Sequence, residues 1–271
     1  KKIRLTGGEP LVRHGIDHLV EQLAGIEGIE DVALTTNGSL LAGKARKLRD
    51  AGLTRITVSL DSLDEPTFRA ISDVKIPLAK VLDGIAAAAE AGLKPVKLNT
   101  VVKRGMNDGQ GLLDLAAFGR EHGYIVRFIE FMDVGNTNGW RMDDVIPAAE
   151  IVERINAVWP LEPVDPRYRG EVASRYRYLD GGGEVGVISS ITKPFCSTCT
   201  RARISAKGEL YTCLFSGAGH DLRALLRGGA DDEELDQTIR GIWKARTDRY
   251  SAQRTSATAG LTKVEMSYIG G

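Results

Sequence analysis

Apolar positions follow two alternating rhythms from the first residues to about Ile155. Short runs rich in β-branched residues at 2–5, 31–35, 55–60, 94–102 and 125–131 have the length and composition of strands. Between them the spacing lengthens to the helical period, as in 15–26, where Ile16, Leu19, Val20 and Leu23 fall on one face. The segments 40–51, 78–91 and 109–122 have the same character. Strand and helix in strict alternation predict consecutive βα units with the five strands parallel. Right-handed crossovers turn such units into a barrel or a doubly wound sheet, and both place ligands at the C-terminal edge of the strands.

Past Ile155 the rhythm breaks at Trp159-Pro160-Leu161-Glu162-Pro163, a proline-rich turn followed by a polar stretch over 165–171. Strand-like pieces at 174–179, 184–189, 203–205 and 210–212 predict antiparallel pairing packed on the first unit, and 220–227 and 231–251 predict helices. Two units follow, 1–155 and 156–271. The tail 262–271 lacks periodicity, and its plainest reading is a frayed end. At the other end, Lys1-Lys2-Ile3-Arg4-Leu5 reads as a strand already under way, without an initiator Met or a signal peptide, so a further segment upstream is expected.

Composition narrows the function classes. With 271 residues, 42 % hydrophobic and 27 % charged, the chain is an ordinary globular one with enough length for a sizeable core. Lys plus Arg and Asp plus Glu both total 36, so no global field holds nucleic acid or an anionic membrane. Apolar runs fall far short of the roughly 20 residues that span a bilayer. A cytoplasmic protein without nucleic-acid or membrane partners is expected.

Polar residues gather where the strands end: Gly7-Gly8-Glu9-Pro10, Thr36-Asn37-Gly38, Asp61-Ser62, Arg104-Gly105-Met106-Asn107 and Met132-Asp133. Each alone is explained by turn formation; together on one rim they mark a ligand edge. Gly7 and Gly8 let backbone amides approach a ligand, and Glu9 supplies a carboxylate for an ammonium group. The three cysteines, Cys196, Cys199 and Cys213, form C-x2-C-x13-C, a spacing that points to metal ligation by thiolates. A structural zinc would need a fourth ligand, with His220 nearest; an iron–sulfur cluster can leave one iron open. Arg201 and Arg203 follow at alternate positions, suited to phosphate or a purine edge or else to a solvated face. Arg4 and Lys97 lie on predicted parallel strands where they can point inward or stay exposed. His14, His18, His122 and His220 have no acidic partner in register, and none is assigned to catalysis.

Arg4-Leu5-Thr6-Gly7-Gly8-Glu9-Pro10-Leu11, Leu34-Thr35-Thr36-Asn37-Gly38, Val58-Ser59-Leu60-Asp61, Lys97-Leu98-Asn99-Thr100-Val101, Phe128-Ile129-Glu130-Phe131-Met132-Asp133, the Cys-x2-Cys-x-Arg-x-Arg element and the terminal Gly-Gly together resemble the MoaA-type GTP 3',8-cyclases. These are radical S-adenosylmethionine (SAM) enzymes of molybdenum cofactor biosynthesis. The resemblance implies an α/β fold, a partial (β/α)6 TIM-like radical SAM barrel with its first strand missing, plus a small C-terminal α+β domain. It implies a [4Fe-4S] cluster on Cys196, Cys199 and Cys213 whose open iron meets guanine. A second [4Fe-4S] cluster would belong to a CxxxCxxC segment that this sequence lacks. SAM would meet Gly7, Gly8, Glu9, Ser59 and Met132. GTP would meet Arg4, Thr35, Lys97, Arg201, Ala202 and Arg203, with Arg4, Lys97, Arg201 and Arg203 the catalytic set, and the terminal Gly-Gly would reach into this site. The implied chemistry is radical abstraction of the ribose 3' hydrogen and attack on C8, giving 3',8-cyclo-GTP. Implied partners are a flavodoxin or ferredoxin as electron donor, the next molybdopterin-pathway enzyme as recipient of product, and a second copy in a homodimer. Two other readings stand beside it: a different radical SAM enzyme with an auxiliary cluster, and a zinc-stapled nucleic-acid or protein interaction module using His220.

Overall fold

The computed structural model describes residues 1–72, 75–254 and 261–270. Strands β1 (Lys2–Leu5), β2 (Asp31–Thr36), β3 (Arg55–Ser59), β4 (Val96–Val102) and β5 (Ile125–Glu130) lie side by side in chain order, all parallel. Between them run α1 (Ile16–Ala24), α2 (Ala45–Asp50), α3 (Glu65–Ser72), α4 (Leu78–Glu90) and α5 (Gln110–His122). After α6 (Ala148–Val158) come β6 (Leu161–Val164), β7 (Ser174–Tyr178) and β8 (Glu184–Ile188), which extend the same sheet to eight strands in the order β1-β2-β3-β4-β5-β8-β7-β6.

The period of two decides which side each strand residue takes. Val32, Leu34, Ile56, Val58, Val96, Leu98, Val126, Phe128, Val185 and Val187 share one buried core with Val20, Leu48, Ile85, Leu112 and Ile155 of the helices. All five helices named there cover the same sheet face. Replacing the fully buried Leu98 by alanine in such a core costs about 2–5 kcal/mol. The intervening residues, among them Asp31, Ala33, Arg55, Thr57, Lys97, Asn99 and Arg127, point to the opposite face, which is largely polar.

Several expectations are corrected. The 184–189 strand was expected to pair only antiparallel; β8 pairs with β7 that way but runs parallel to β5, aligning Val126 with Val185 and Arg127 with Gly186. The sheet therefore continues past residue 155. The proline-rich segment contains edge strand β6, where Pro163 needs no ladder donor. The helix expected over 40–51 is shortened to α2: Asn37 Oδ1 accepts from Ser39 N at 2.9 Å and Ser39 Oγ at 2.7 Å, and the chain goes on turning through Leu41 N on Gly38 O at 3.1 Å and Lys44 N on Leu41 O at 3.0 Å before the helix starts. Gly38 sits in that turn at φ 81°, where a Cβ would come within 2.9 Å of Val58 Cγ1. The sequence pattern missed α3, a largely polar helix started by Asp64 capping Thr67 N at 3.0 Å.

A three-stranded antiparallel sheet of β9 (Arg203–Ile204), β10 (Glu209–Tyr211) and β11 (His220–Asp221) stands apart from the main one. It is followed by α7 (Leu222–Arg227), α8 (Asp232–Lys244) and α9 (Tyr250–Gln253). The tail, expected to be irregular, contains a short helix, α10 (Met266–Ile269). Gly271, the last residue of the Gly-Gly end, lies outside the described residues. No described helix is long and apolar enough to cross a membrane.

Candidate functional site

The rim after β1 and β2 is built around Glu9. Its Oε1 accepts from Thr36 Oγ1 at 2.6 Å and Leu11 N at 3.0 Å, and its Oε2 accepts from Asn37 N at 2.7 Å. Three donors fix the carboxylate and tie the two loops together, and Oε2 keeps a lone pair for a further donor. Gly7, at φ 126°, has no atom within 4 Å of where a Cβ would lie, so that side of its backbone is open. Ser59 ends β3 opposite Asn99, and Met132 packs on an apolar cluster of Ile129, Ala173 and Ile188.

Cations collect on the polar face of the sheet. Arg4 Nη1 donates to Thr35 Oγ1 at 3.2 Å, and Arg127 Nη2 donates to Thr57 Oγ1 at 3.2 Å. Arg127 is 8 % exposed and its Nε has no hydrogen-bond partner; Asn99 Oδ1 is likewise buried without one. Burial, then the charges of Arg127 and Arg55, lower Lys97 to about 8. Burial followed by Arg4 lowers Arg127, and burial followed by Arg201 lowers Arg203. Arg55 is neutralised by Asp31. Among the described residues no carboxylate forms an ion pair with Arg4, Lys97, Arg127, Arg201 or Arg203. Crowded, desolvated and unneutralised cations of this kind are suited to a multiply charged anion.

The cysteines adjoin this face. A single 3-10 turn, Cys196–Thr198, brings Cys199 N to Cys196 O at 3.3 Å. Arg201 Nη2 lies 3.2 Å from Cys199 Sγ, and Arg246 Nη1 donates to Cys199 O at 3.0 Å. Burial opposes ionisation of Cys199, but the charge of Arg201, its backbone amide and Arg246 overcome it and bring the thiol down to about 7. Burial raises Cys213. All three cysteines are free and partly exposed. Among the described residues no three His, Cys, Asp or Glu side chains are arranged to hold a single metal ion, and His220 is exposed on β11 opposite Leu210. The donor set, three free cysteines with an acidified thiol between two guanidinium groups, fits a thiolate-held cluster better than a tetrahedral zinc.

The expected alternation is present at the arginines: Arg201 and Arg203 are half-buried, while Ala202 and Ile204 are exposed. The tail also arrives here. Gly270 O accepts from Arg203 Nε at 3.2 Å, and Gly270 is so close to the β1 loop that a Cβ would lie 2.3 Å from Thr6 Cγ2.

Profiles of two families tile the chain: the radical SAM superfamily over residues 1–116 and Molybdenum Cofactor Synthesis C over residues 124–252. A protein of Acidothermus cellulolyticus named GTP 3',8-cyclase is 55 % identical over 100 % of this chain and 82 % of its own length. Proteins of the same name from Xanthomonas campestris pv. campestris and Staphylococcus aureus are 52 % and 46 % identical, again over 100 % of this chain and over 79 % and 80 % of theirs. This chain belongs to the GTP 3',8-cyclase family. Among solved structures, anSMEcpe with bound AdoMet and Kp18Cys peptide aligns at a TM-score of 0.55 and 13 % identity, covering 86 % of this chain and 66 % of that one, a likeness of fold alone.

Sequence reasoning about this member of the GTP 3',8-cyclase family missed Arg55, Asn99 and Arg127. Strand parity could have found them: Arg127 lies between the core residues Val126 and Phe128, so it must face the other way. It also missed Arg246, which reaches Cys199 from 47 residues away, a contact for which the sequence carries no local signal.

Proposed function

We propose that this chain carries out the GTP 3',8-cyclase reaction as a radical SAM enzyme, converting GTP to 3',8-cyclo-GTP in the first step of molybdenum cofactor biosynthesis. The observation that carries this reading is the set of five unneutralised cations, Arg4, Lys97, Arg127, Arg201 and Arg203, beside Cys199 and Cys213. A triphosphate matches such a set in charge and in number of acceptors.

Cys196, Cys199 and Cys213 would hold a [4Fe-4S] cluster that leaves one iron for the guanine. A second cluster would be held by residues other than these 271, whose three cysteines are already used. Gly7, Gly8 and Glu9 would receive the amino acid end of SAM, Glu9 through its remaining lone pair, with Ser59 and Met132 against the rest. When bound, SAM and its cluster supply the radical that removes hydrogen from the ribose. The chain's own residues bind and orient: Arg4, held by Thr35, and Lys97, Arg127, Arg201 and Arg203 fix the nucleotide, with the Ala202 backbone between the last two. The apolar cluster around Met132, Ile129 and Ile188 keeps water away.

In this reading β1 to β5 of the main sheet are a partial (β/α)6 barrel without its first strand, supported by sequential parallel strands with their helices on one face. Residues 1–155 are its radical SAM part, and 156–271 contribute the cluster and nucleotide contacts. A flavodoxin or ferredoxin would reduce it, the next pathway enzyme would take its product, a second copy would complete a homodimer, and a cytoplasmic setting accords with free thiols.

The test is anaerobic reconstitution with iron and sulfide, followed by electron paramagnetic resonance with and without GTP. The expected result is a reducible cluster signal that GTP perturbs and GMP perturbs only at concentrations about 100-fold higher, since lost phosphates remove charge-assisted contacts. Protein that takes up no iron, or whose signal ignores GTP, overturns the reading.

A further inference from the structure

A second concentration of buried charge lies beyond the end of β5. Asp133 is 4 % exposed. Its Oδ1 accepts from Arg254 Nε at 3.0 Å, and its Oδ2 accepts from Tyr250 OH at 2.6 Å and from Lys263 Nζ at 2.9 Å; Lys263 Nζ also donates to Asp133 O at 2.9 Å. Tyr250 and Arg254 come from α9 and its end, whereas Lys263 belongs to the tail. Lys263 is itself 4 % exposed, which is unusual for a lysine and requires its partner.

From Lys263 the tail is held at successive points. Val264 N donates to Ser216 O at 3.1 Å, Glu265 accepts from Asn136 N at 2.8 Å and Thr137 Oγ1 at 3.1 Å, and Tyr268 OH donates to Glu209 Oε2 at 2.7 Å. The path ends where Gly270 lies against Thr6 and Gly7 and accepts from Arg203 Nε. The later contacts are partly exposed hydrogen bonds; the ion pair at Lys263 is the one buried charge interaction among them.

We propose that Asp133 and Lys263 are positioning residues: their buried ion pair latches residues 261–270 across the site, so that the Gly270 carbonyl fixes the guanidinium of Arg203. The latch itself stands on the contacts above. Only its consequence for substrate rests on Arg203 as a nucleotide contact.

Hydrogen exchange of the full chain tests the latch without turnover. In Lys263→Met, Asp133 keeps Arg254 and Tyr250 and is not left uncompensated, so peptides covering 261–270 should exchange faster by roughly 10- to 100-fold, less than for a buried charge stranded without a partner, while those of α4 and α5 stay unchanged. Lys263→Arg should restore protection. Asp133→Asn should release α9 together with the tail. Unchanged exchange over 261–270 in Lys263→Met overturns the proposal, and so does uniform acceleration through α4 and α5, which would mark a general loss of stability.

A double-mutant cycle tests the consequence. Lys263→Met should weaken GTP binding in the parent protein and have no effect in an Arg203→Ala background. Equal weakening in both backgrounds overturns the link to Arg203. Should the parent protein bind no GTP at all, the proposed function fails, and hydrogen exchange alone still decides the latch.

Discussion

Glu130 and Arg127 lie three residues apart on β5, and both side chains are buried, yet they are treated in opposite ways. Glu130, on the helix-covered face, is 0 % exposed, and its two oxygens accept from Ala148 N at 2.7 Å, Ile191 N at 2.7 Å, Thr192 N at 2.9 Å and Thr192 Oγ1. Every acceptor site of the carboxylate is engaged, and the group fastens the start of α6 and the loop after β8 to the sheet. Arg127, on the polar face, has Thr57 for one nitrogen and nothing for Nε. A satisfied buried charge is a fastening; an unsatisfied one surrounded by further cations costs stability and is retained where a ligand completes it. Asp133 belongs with Glu130, and Lys97, desolvated and without a carboxylate in an ion pair among the described residues, belongs with Arg127.

The largest expected effect is at the fastened site. Glu130→Gln replaces an acceptor oxygen with an amide donor facing backbone N–H groups, leaving two buried donors unpaired at about 1–3 kcal/mol each, so unfolding free energy should fall by about 4 kcal/mol. Urea denaturation measures it, and a loss under 1 kcal/mol would mean that Glu130 is no more closed than Arg127. At the open site the sign reverses. Arg127→Met removes a desolvated cation, so the protein without ligand should be unchanged or more stable by about 1 kcal/mol. Its GTP affinity should drop about 100-fold, the loss of a buried charge-assisted contact. Calorimetry on both quantities checks this, and a destabilised protein with intact affinity would place Arg127 among the fastenings.

The fastened side was the legible one. Short β-branched runs holding Val32, Leu34, Ile56, Val58, Leu98 and Phe128, set between segments of helical period, predicted the parallel strands, because burial of apolar area acts residue by residue along a strand. The approach of Arg201 to Cys199 was legible because the two stand two residues apart in Cys-x2-Cys-x-Arg-x-Arg. Arg246 on Cys199, Lys263 on Asp133 and the parallel pairing of β8 with β5 were not, since each joins positions tens of residues apart and rests on tertiary packing alone. The helix expected over 40–51 formed only over 45–50, because residues 38–44 turn through Leu41 N on Gly38 O and Lys44 N on Leu41 O.

Acidity offers a finer test of the open side. Burial first, then Arg127 and Arg55, hold Lys97 near 8 rather than at its usual value. Because an unfolded lysine still binds its proton between pH 8 and about 10.4, stability of the unliganded protein should rise with pH across that window. A triphosphate reverses the preference by favouring the charged amine, so GTP affinity should fall above pH 8, by at most about tenfold per pH unit. Calorimetry from pH 7 to 9.5 measures the slope. Lys97→Met should flatten it, and a slope that survives this substitution would assign the titration to another group.

The smallest effect separates a poised cation from one that is merely present. Thr57 is 4 % exposed and its hydroxyl is the single hydrogen-bond acceptor recorded for the Arg127 side chain among the described residues. Thr57→Val keeps the side-chain volume close and removes that oxygen, so the guanidinium loses its orientation while its charge stays. Loss of one such hydrogen bond is worth about 0.5–1 kcal/mol, which should lower GTP affinity by about two- to fivefold. In an Arg127→Met background the same substitution should change nothing, because the group that Thr57 orients is gone. A two- to fivefold loss in both backgrounds would show that Thr57 meets the ligand independently, and Arg127 would then owe its place to proximity rather than to preorganisation.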